Sequence, residues 1–423
     1  MIPRASPDAA RSPPSVLVVA GEASGDRLAA RIARSLSTHG VRCFGMGGPA
    51  SSAAGVELVA DLRHSAAMGF TEVAARLPAI ATAFARLVIA AHQARPRAAV
   101  LVDYTEFNQR LGMLLKRRGV PVLWCVAPQV WAWRPRRMTK VARSLDRMAV
   151  ILPFEAPLWH AAGVDAHYIG HPALDVPAID RFTAQDRLGL GRTHRNVAIL
   201  PGSRPHEVRR HTPLMLAALR ELARAGMAVE ARLLVAASLD VATRRWLVAQ
   251  ATQACVTTVE VDADGGAAEW LGAFDAALAA SGTATLECAL AQTPPVVVYR
   301  MSPLTAAVAR RFVRTPFVAL PNILLGSAVY PELLDRRAEP LGVARALASV
   351  LERPSVFTSS ARELRARLAW PPSSSSHAAG DTSAERAASL LFDWLACGVP
   401  QPSHLPRSTP RPVSYAPEAS DPP

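Results

Sequence analysis

Val16-Leu17-Val18-Val19-Ala20-Gly21-Glu22-Ala23-Ser24-Gly25-Asp26 is an unbroken apolar run that ends in a turn with two glycines and leads into a helical pattern. This is the signature of a strand, a tight turn and a helix. Working outward, further short apolar runs recur at Val41–Gly45, Ala98–Asp103, Pro121–Ala127, Arg147–Ile151 and Ala166–Ile169. The pattern then restarts, with runs at Asn196–Leu200, Glu230–Ala236, Val256–Val261, Ala276–Ala280 and Pro295–Tyr299. Between the runs lie amphipathic segments of helix length, as parallel strands with crossover helices require. Two such series predict an α/β protein of two doubly wound, Rossmann-like domains, with the carboxyl ends of both strand sets facing one cleft, where α/β sheets bind ligands.

At 423 residues, half of them apolar, the chain is long enough for two cores. Gly170–Arg195 contains His171-Pro172, Pro177 and Gly189-Leu190-Gly191-Arg192 and reads as the linker, with the boundary near Val176. The expected division is a disordered N-terminus over 1–14, a first domain over 15–176, a second over 177–397, including a helix-like stretch at Ser383–Ala396, and a disordered Pro-rich tail over 398–423. Met1–Ser15 lacks the apolar core of a signal peptide. No stretch reads as long and apolar enough to span a bilayer, so contact with a membrane is expected from its surface.

The formal charge is +13, yet only Lys116 and Lys140 are lysines. The arginine excess is either a solvated surface that follows a compositional bias or a match to an anionic membrane or a phosphate-bearing ligand. No basic and aromatic interleaving marks a nucleic-acid partner. Cys43, Cys125, Cys255, Cys288 and Cys397 are odd in number and never spaced as CxxC, against both a disulfide framework and a zinc site.

Six segments can carry chemistry. Glu22 and Ser24 follow the first strand, where Ser24 is either a ligand contact or a helix cap. Asp103 ends the run Ala98–Val102 and leads into Tyr104-Thr105-Glu106-Phe107-Asn108; it is either a general base or a helix N-cap. Ala127-Pro128-Gln129-Val130-Trp131-Ala132-Trp133-Arg134-Pro135-Arg136-Arg137 sets tryptophans, which pack on sugar rings or acyl chains, beside arginines, which bind phosphate in a forked geometry. Leu200-Pro201-Gly202-Ser203-Arg204 and Ala280-Ser281-Gly282-Thr283 each lie between a strand and a helix start, whose unpaired N–H groups and dipole attract phosphate. With Arg204 to neutralise a diphosphate and Glu287 a turn further on to hold ribose hydroxyls, the pair forms a nucleotide-diphosphate pocket. Asn322, in Leu320-Pro321-Asn322, is either a ligand contact or a turn residue.

In order, the segments VAGEASGD, MGFTEV, Asp103–Asn108, PQVWAWR, ILPFE, GHPALD, LPGSR, SGTATLE and LPNILL resemble the bacterial lipid-A-disaccharide synthase family from about Val16 to the helix near Ala396. The resemblance implies the GT-B architecture and an inverting hexosyltransferase. Such an enzyme joins UDP-2,3-diacylglucosamine to 2,3-diacylglucosamine 1-phosphate at the cytoplasmic face of the inner membrane, without metal or other cofactor, releasing UDP and a β-1,6-linked disaccharide. It further implies homodimers with exchanged C-terminal parts. On its motifs, Asp103 is the catalytic base and Glu22, Ser24 and Asn108 stand on the acceptor side. Arg204, Ser203, Ser281, Gly282, Thr283, Glu287 and Asn322 stand on the donor side. At the Asp103 segment the family's Asp, small residue, Pro, Asp, Phe-Asn is here Asp-Tyr-Thr-Glu-Phe-Asn.

Within His64–Phe84, Met68, Phe70, Val73, Leu77, Ile80 and Phe84 are spaced by three or four over the latter part. They form either the core-facing side of an amphipathic helix or a membrane-dipping face, with Phe70, Val73 and Leu77 as contacts and Arg134, Arg136, Arg137 and Arg143 on anionic lipid. The competing functions are another GT-B glycosyltransferase, a UDP-sugar epimerase, or a non-catalytic nucleotide-sugar or lipid-binding module. The presence of Asp103 weighs against the last.

Overall fold

A computed structural model of the chain describes residues 13–61, 70–129, 137–262, 266–300, 316–370 and 380–397. Of the expected disordered segments 1–14 and 398–423, residues 1–12 and 398–423 lie outside the described residues, as do the tryptophans Trp131 and Trp133.

The first sheet has seven parallel strands in the order β3-β2-β1-β4-β5-β6-β7, and the second six in the order β10-β9-β8-β11-β12-β13. In the first, β1 is Ser15–Ala20, β2 Arg42–Gly47, β3 Glu57–Asp61, β4 Ala98–Val102, β5 Val122–Cys125, β6 Arg147–Val150 and β7 Asp165–Tyr168. In the second, β8 is Arg195–Leu200, β9 Val229–Val235, β10 Thr257–Glu260, β11 Ala276–Ala280, β12 Pro295–Tyr299 and β13 Glu332–Leu334.

Central strands are apolar on both faces because helices cover both. Val16, Val18 and Ala20 enter one buried cluster and Leu17 and Val19 the other. In the second domain Val197 and Ile199 divide in the same way from Ala198 and Leu200. All eleven expected strands correspond to observed ones. The edge strands β3 and β13 were not foreseen. An edge buries less and needs no continuous apolar run: β13 has three residues, all half-buried, and β3 opens on the exposed Glu57.

The helices that matter below are α1 (Ala23–Ser37), α2 (Phe70–Ala94), α3 (Thr105–Arg117), α4 (Pro205–Arg224), α5 (Thr283–Leu290), α6 (Pro354–Leu368), α7 (Ser383–Ser389) and α8 (Phe392–Cys397). The sequence division carries the second domain to residue 397, and the packing corrects this. Ala384, Ala387, Ala388, Leu390, Leu391 and Trp394 of α7, α8 and their junction bury themselves against Leu28, Ile32 and Leu36 of α1 and complete the first domain's core. Arg147 ties the end of this unit down with paired bonds to Asp393, at 2.8 and 2.7 Å, and lies 4.7 Å from the Trp394 ring. The chain therefore crosses between the domains twice, once after β7 and again after α6. The crossings touch: Tyr168 donates to the Leu368 carbonyl at 2.7 Å and stacks on Trp370, and Ser383 N donates to Asp175 at 2.8 Å.

Helix α2 amends a second expectation. Its segment Leu77–Ala94 is, by length and composition, long and apolar enough to cross a membrane. In this fold it lies on the first sheet, burying Ala83, Leu87 and Ala91 at i, i+4 and i+8 while Leu77 and Ile89 stand exposed.

Candidate active site

Both sheets reverse strand order beside their first strand, between β1 and β4 and between β8 and β11. Crevices at such switch points are where open α/β sheets bind ligands. The four loops leaving these strands are Gly21–Glu22, Asp103–Tyr104, Pro201–Arg204 and Ser281–Gly282. They are four of the six segments picked out above, and the sheets bring them together.

On the first side, register places Ala20 beside Val102, so Gly21 is level with Asp103. A Cβ at Gly21 would lie 2.2 Å from the Tyr104 ring, so only glycine lets the two loops meet. Asp103 and Tyr104 both take φ of 50°, the left-handed region, which for two successive non-glycine residues costs roughly 1–3 kcal/mol each. Asn108 supports the turn from below, its Nδ2 donating to the carbonyls of Val102 at 3.3 Å and Asp103 at 2.5 Å. Tyr104 stacks on Phe107, ring centroids 5.1 Å apart. The capping alternatives fall away: the N-cap of α1 is Glu22 and that of α3 is Tyr104, neither with a side-chain cap bond. Ser24 instead lines the cavity. Burial, reinforced by the negative charge of Glu22, pushes the Asp103 carboxyl up to about 6, against the pull of the Tyr104 N–H and Arg204.

On the second side, α4 starts at Pro205 with Arg204 as N-cap, and α5 starts at Thr283 with Gly282 as N-cap. Gly202 has φ of 125° and packs against Glu207, where a Cβ would come within 2.7 Å of the carboxylate. Gly282 has φ of 145° with open space before it, a conformation essentially reserved for glycine. His211, fully buried, ties this loop to the end of β12. Its Nε2 accepts from Arg300 N at 3.1 Å, so Nδ1 carries the proton and donates to the Pro201 carbonyl, also at 3.1 Å.

Between the sides lies a cavity of about 190 Å³ lined by Glu22, Ser24 and Arg27 of the first domain and by Ser203, Arg204, Ser281, Gly282, Thr283 and Glu287 of the second. Arg204 reaches over it to Glu22, Nη2 to Oε2 at 2.7 Å, while Nη1 holds Glu207 at 2.9 Å. Among the described residues no cluster of three or more His, Cys, Asp or Glu side chains is arranged to hold a metal ion. The cavity's arginines, Arg27 and Arg204, are paired with carboxylates, and the helix starts at Pro205 and Thr283 add positive ends that favour an anion.

Two expected contact residues are struts. Asn108 is fully buried beneath the Asp103 turn. Asn322 is 1 % exposed, with Nδ2 donating to the Tyr330 carbonyl at 2.8 Å and Glu332 at 2.9 Å and Oδ1 accepting from Tyr330 N at 2.9 Å. Its groups are spent on the loop leading into β13, which they pin to the short helix Leu320–Leu325 in which Asn322 sits, because buried backbone groups must be paired. Glu332 adds to this, accepting from Val318 N and Ala319 N at 3.0 Å. Arg27 and Glu207 are among the cavity residues that escaped sequence reading. The available signal was spacing: Arg27 lies three residues after Ser24 and Glu207 three after Arg204, each on its partner's helix face. The side chains of Phe70 and Val73 lie outside the described residues, as do Arg134 and Arg136.

The family model for lipid-A-disaccharide synthetase matches residues 16–369. The chain belongs to the lipid-A-disaccharide synthetase family. It is a hexosyltransferase of lipid A biosynthesis with the GT-B fold. It is 43 % identical over 337 residues to the lipid-A-disaccharide synthase of Myxococcus xanthus (strain DK1622), covering 79 % of this chain and 87 % of that one. The lipid-A-disaccharide synthase of Anaeromyxobacter sp. (strain K) is 42 % identical over 364 residues, covering 84 % and 94 %. Among solved structures, the calicheamicin glycosyltransferase CalG4 superimposes with a TM-score of 0.55 at 14 % identity, over 92 % of this chain and all of that one. A UDP-GlcNAc 2-epimerase from Neisseria meningitidis does so with 0.60 at 10 % identity, over 90 % and 99 %. At these identities the structures share the fold alone.

Proposed function

We propose that the enzyme transfers the acylated glucosamine of UDP-2,3-diacylglucosamine to 2,3-diacylglucosamine 1-phosphate, giving lipid A disaccharide 1-phosphate and UDP by one in-line displacement with inversion. The observation that carries this reading is the placing of Glu22, with Asp103 on the neighbouring loop, at the first-domain side of the cavity and of two helix starts with Arg204 at the second. The acceptor sits on the first domain at Glu22 and Ser24. Asp103 takes the proton from its 6-hydroxyl as that oxygen attacks the anomeric carbon; with a pKa near 6 it is ionised at neutral pH yet basic enough to share the proton. UDP sits on the second domain. Charge growing on the β-phosphate as the glycosidic bond breaks meets Arg204, Ser203 and the N–H groups around Ser281, Gly282 and Thr283, which are fixed before the reaction starts. Glu287 accepts from the ribose hydroxyls. Asn108 and Asn322 act indirectly, by holding the loops.

Acylated substrates reside in a bilayer, and the exposed Leu77 and Ile89 of α2 supply an apolar surface on the acceptor domain for peripheral contact with the inner membrane. The α7–α8 unit, joined to α6 by its own crossing, is the part that two copies would exchange in a swapped homodimer.

The test is incubation of the purified protein with both acylated substrates and mass spectrometry of the products. A disaccharide 1-phosphate formed together with UDP, and only when both substrates are present, is expected. UDP release without acceptor, or epimerised donor, would overturn the reading.

A further inference from the structure

Arg27 belongs to α1 of the first domain but ends in the second. Its Nη2 donates to Glu287 Oε1 at 2.9 Å. Its guanidinium also lies against the backbone at Gly266, where an added Cβ would come within 2.7 Å of Nη1. Arg204 does the reverse, leaving the second domain for Glu22 of the first. Each domain thus sends one arginine to a carboxylate of the other across the same cavity.

The two bridges are not equivalent. Arg204 is shared between two carboxylates, whereas Arg27 orients a single one. Glu287 is 8 % exposed, so this pair is not one of the solvated surface pairs that contribute little; without Arg27 the carboxylate would be left buried and uncompensated. The bond uses Oε1 alone. A carboxylate held by one oxygen presents the other in a fixed direction, which is what recognition of a hydroxyl pair demands.

Resting on the donor-site reading above, we propose that Arg27 is a positioning residue for the donor: it aims Glu287 at the ribose hydroxyls of a nucleoside diphosphate, and only with the domains closed. Selectivity for ribose then depends on a residue of the acceptor domain, and a donor recognised in this way is by construction a donor facing the acceptor loops.

A mere tie between the domains would affect all nucleotides alike, and aiming would not. Calorimetric binding of UDP and of 2′,3′-dideoxy-UDP to the full chain therefore separates the two. The wild type is expected to prefer UDP by about tenfold, the worth of a hydrogen bond to a charged group. Arg27→Gln should weaken UDP by about that factor and leave the dideoxy nucleotide within about twofold. Arg27→Lys, which keeps the charge but not the fork, should fall between. Glu287→Gln should abolish the preference, and adding Arg27→Gln to it should cost nothing more, since interacting residues fail to add. Equal weakening of both nucleotides by Arg27→Gln, a preference that survives it, or a wild type that binds UDP with no preference would each overturn the proposal while leaving the donor site standing. A wild type that binds no UDP would overturn the donor-site reading as well, before any variant is made.

Discussion

The two domains share one topology, and their site loops leave corresponding strands, yet the loops are made of different material. In the first domain Asp103 and Tyr104 are forced into the left-handed region and held there by Asn108, with Glu22 adding negative charge. In the second, glycines occupy the unusual backbone positions, and the loops open directly into the helices of Pro205–Arg224 and Thr283–Leu290. A doubly wound sheet decides where a ligand binds, and the residues of the turn decide what is done to it. Strain and a buried carboxylate suit proton transfer, whereas glycine and a helix dipole suit an anion.

Asp103→Asn breaks the contrast most severely. Turnover should fall about 10²–10⁴-fold while UDP affinity stays within about twofold, measured by product formation and calorimetry. The same substitution should raise stability at high pH. The folded-state pKa near 6 exceeds the unfolded value of 3.8, so the native protein loses stability as pH rises between them, and above that window the neutral amide spares the cost of a buried charge, at most ~3 kcal/mol. Thermal melts of both proteins at pH 4 and pH 8 check the sign.

Arg204→Ala should instead weaken UDP roughly 10–100-fold, since it removes charge-assisted bonds to phosphate worth about 1.5–3 kcal/mol. Gly282→Ala adds only a methyl group that faces open space, so its penalty is conformational, about 1–3 kcal/mol for φ near 145°. UDP affinity should drop, by less than in Arg204→Ala, with the pH profile unmoved. The smallest expected effect sharpens the first-domain side: kcat/KM should rise with pH through about 6, and Glu22→Gln should move that midpoint down, toward the ordinary carboxylate range. Burial, the larger cause, remains, so only part of the shift should disappear. A midpoint that stays put would uncouple Glu22 from Asp103.

The four switch-point loops were legible because each couples a fully buried strand, visible as an apolar run, to a turn residue with special backbone needs. What sequence left hidden is direction. Asn108 and Asn322 stand beside the right loops but turn inward to satisfy backbone groups, and nothing in their local pattern distinguishes that from turning outward. Arg27 shows nothing of its partner in the sequence, since Glu287 is 260 residues away. The helices of Ser383–Cys397 were read correctly as helical and assigned to the wrong domain, because an amphipathic stretch announces that it covers a core without saying which. The edge strands β3 and β13 carry too little burial to write an apolar run.

The doubled crossing between the domains has a mechanical consequence. A single peptide linker lets two bodies twist as freely as a bead on a thread. Here the segment after β7 is fastened to residues on either side of the second crossing, through Tyr168 with Leu368 and Asp175 with Ser383, like a strap stitched at two points. A strap bends across its width but resists torsion. Two such ties oppose twisting of one domain against the other and so keep Arg27 and Arg204 opposite their carboxylates.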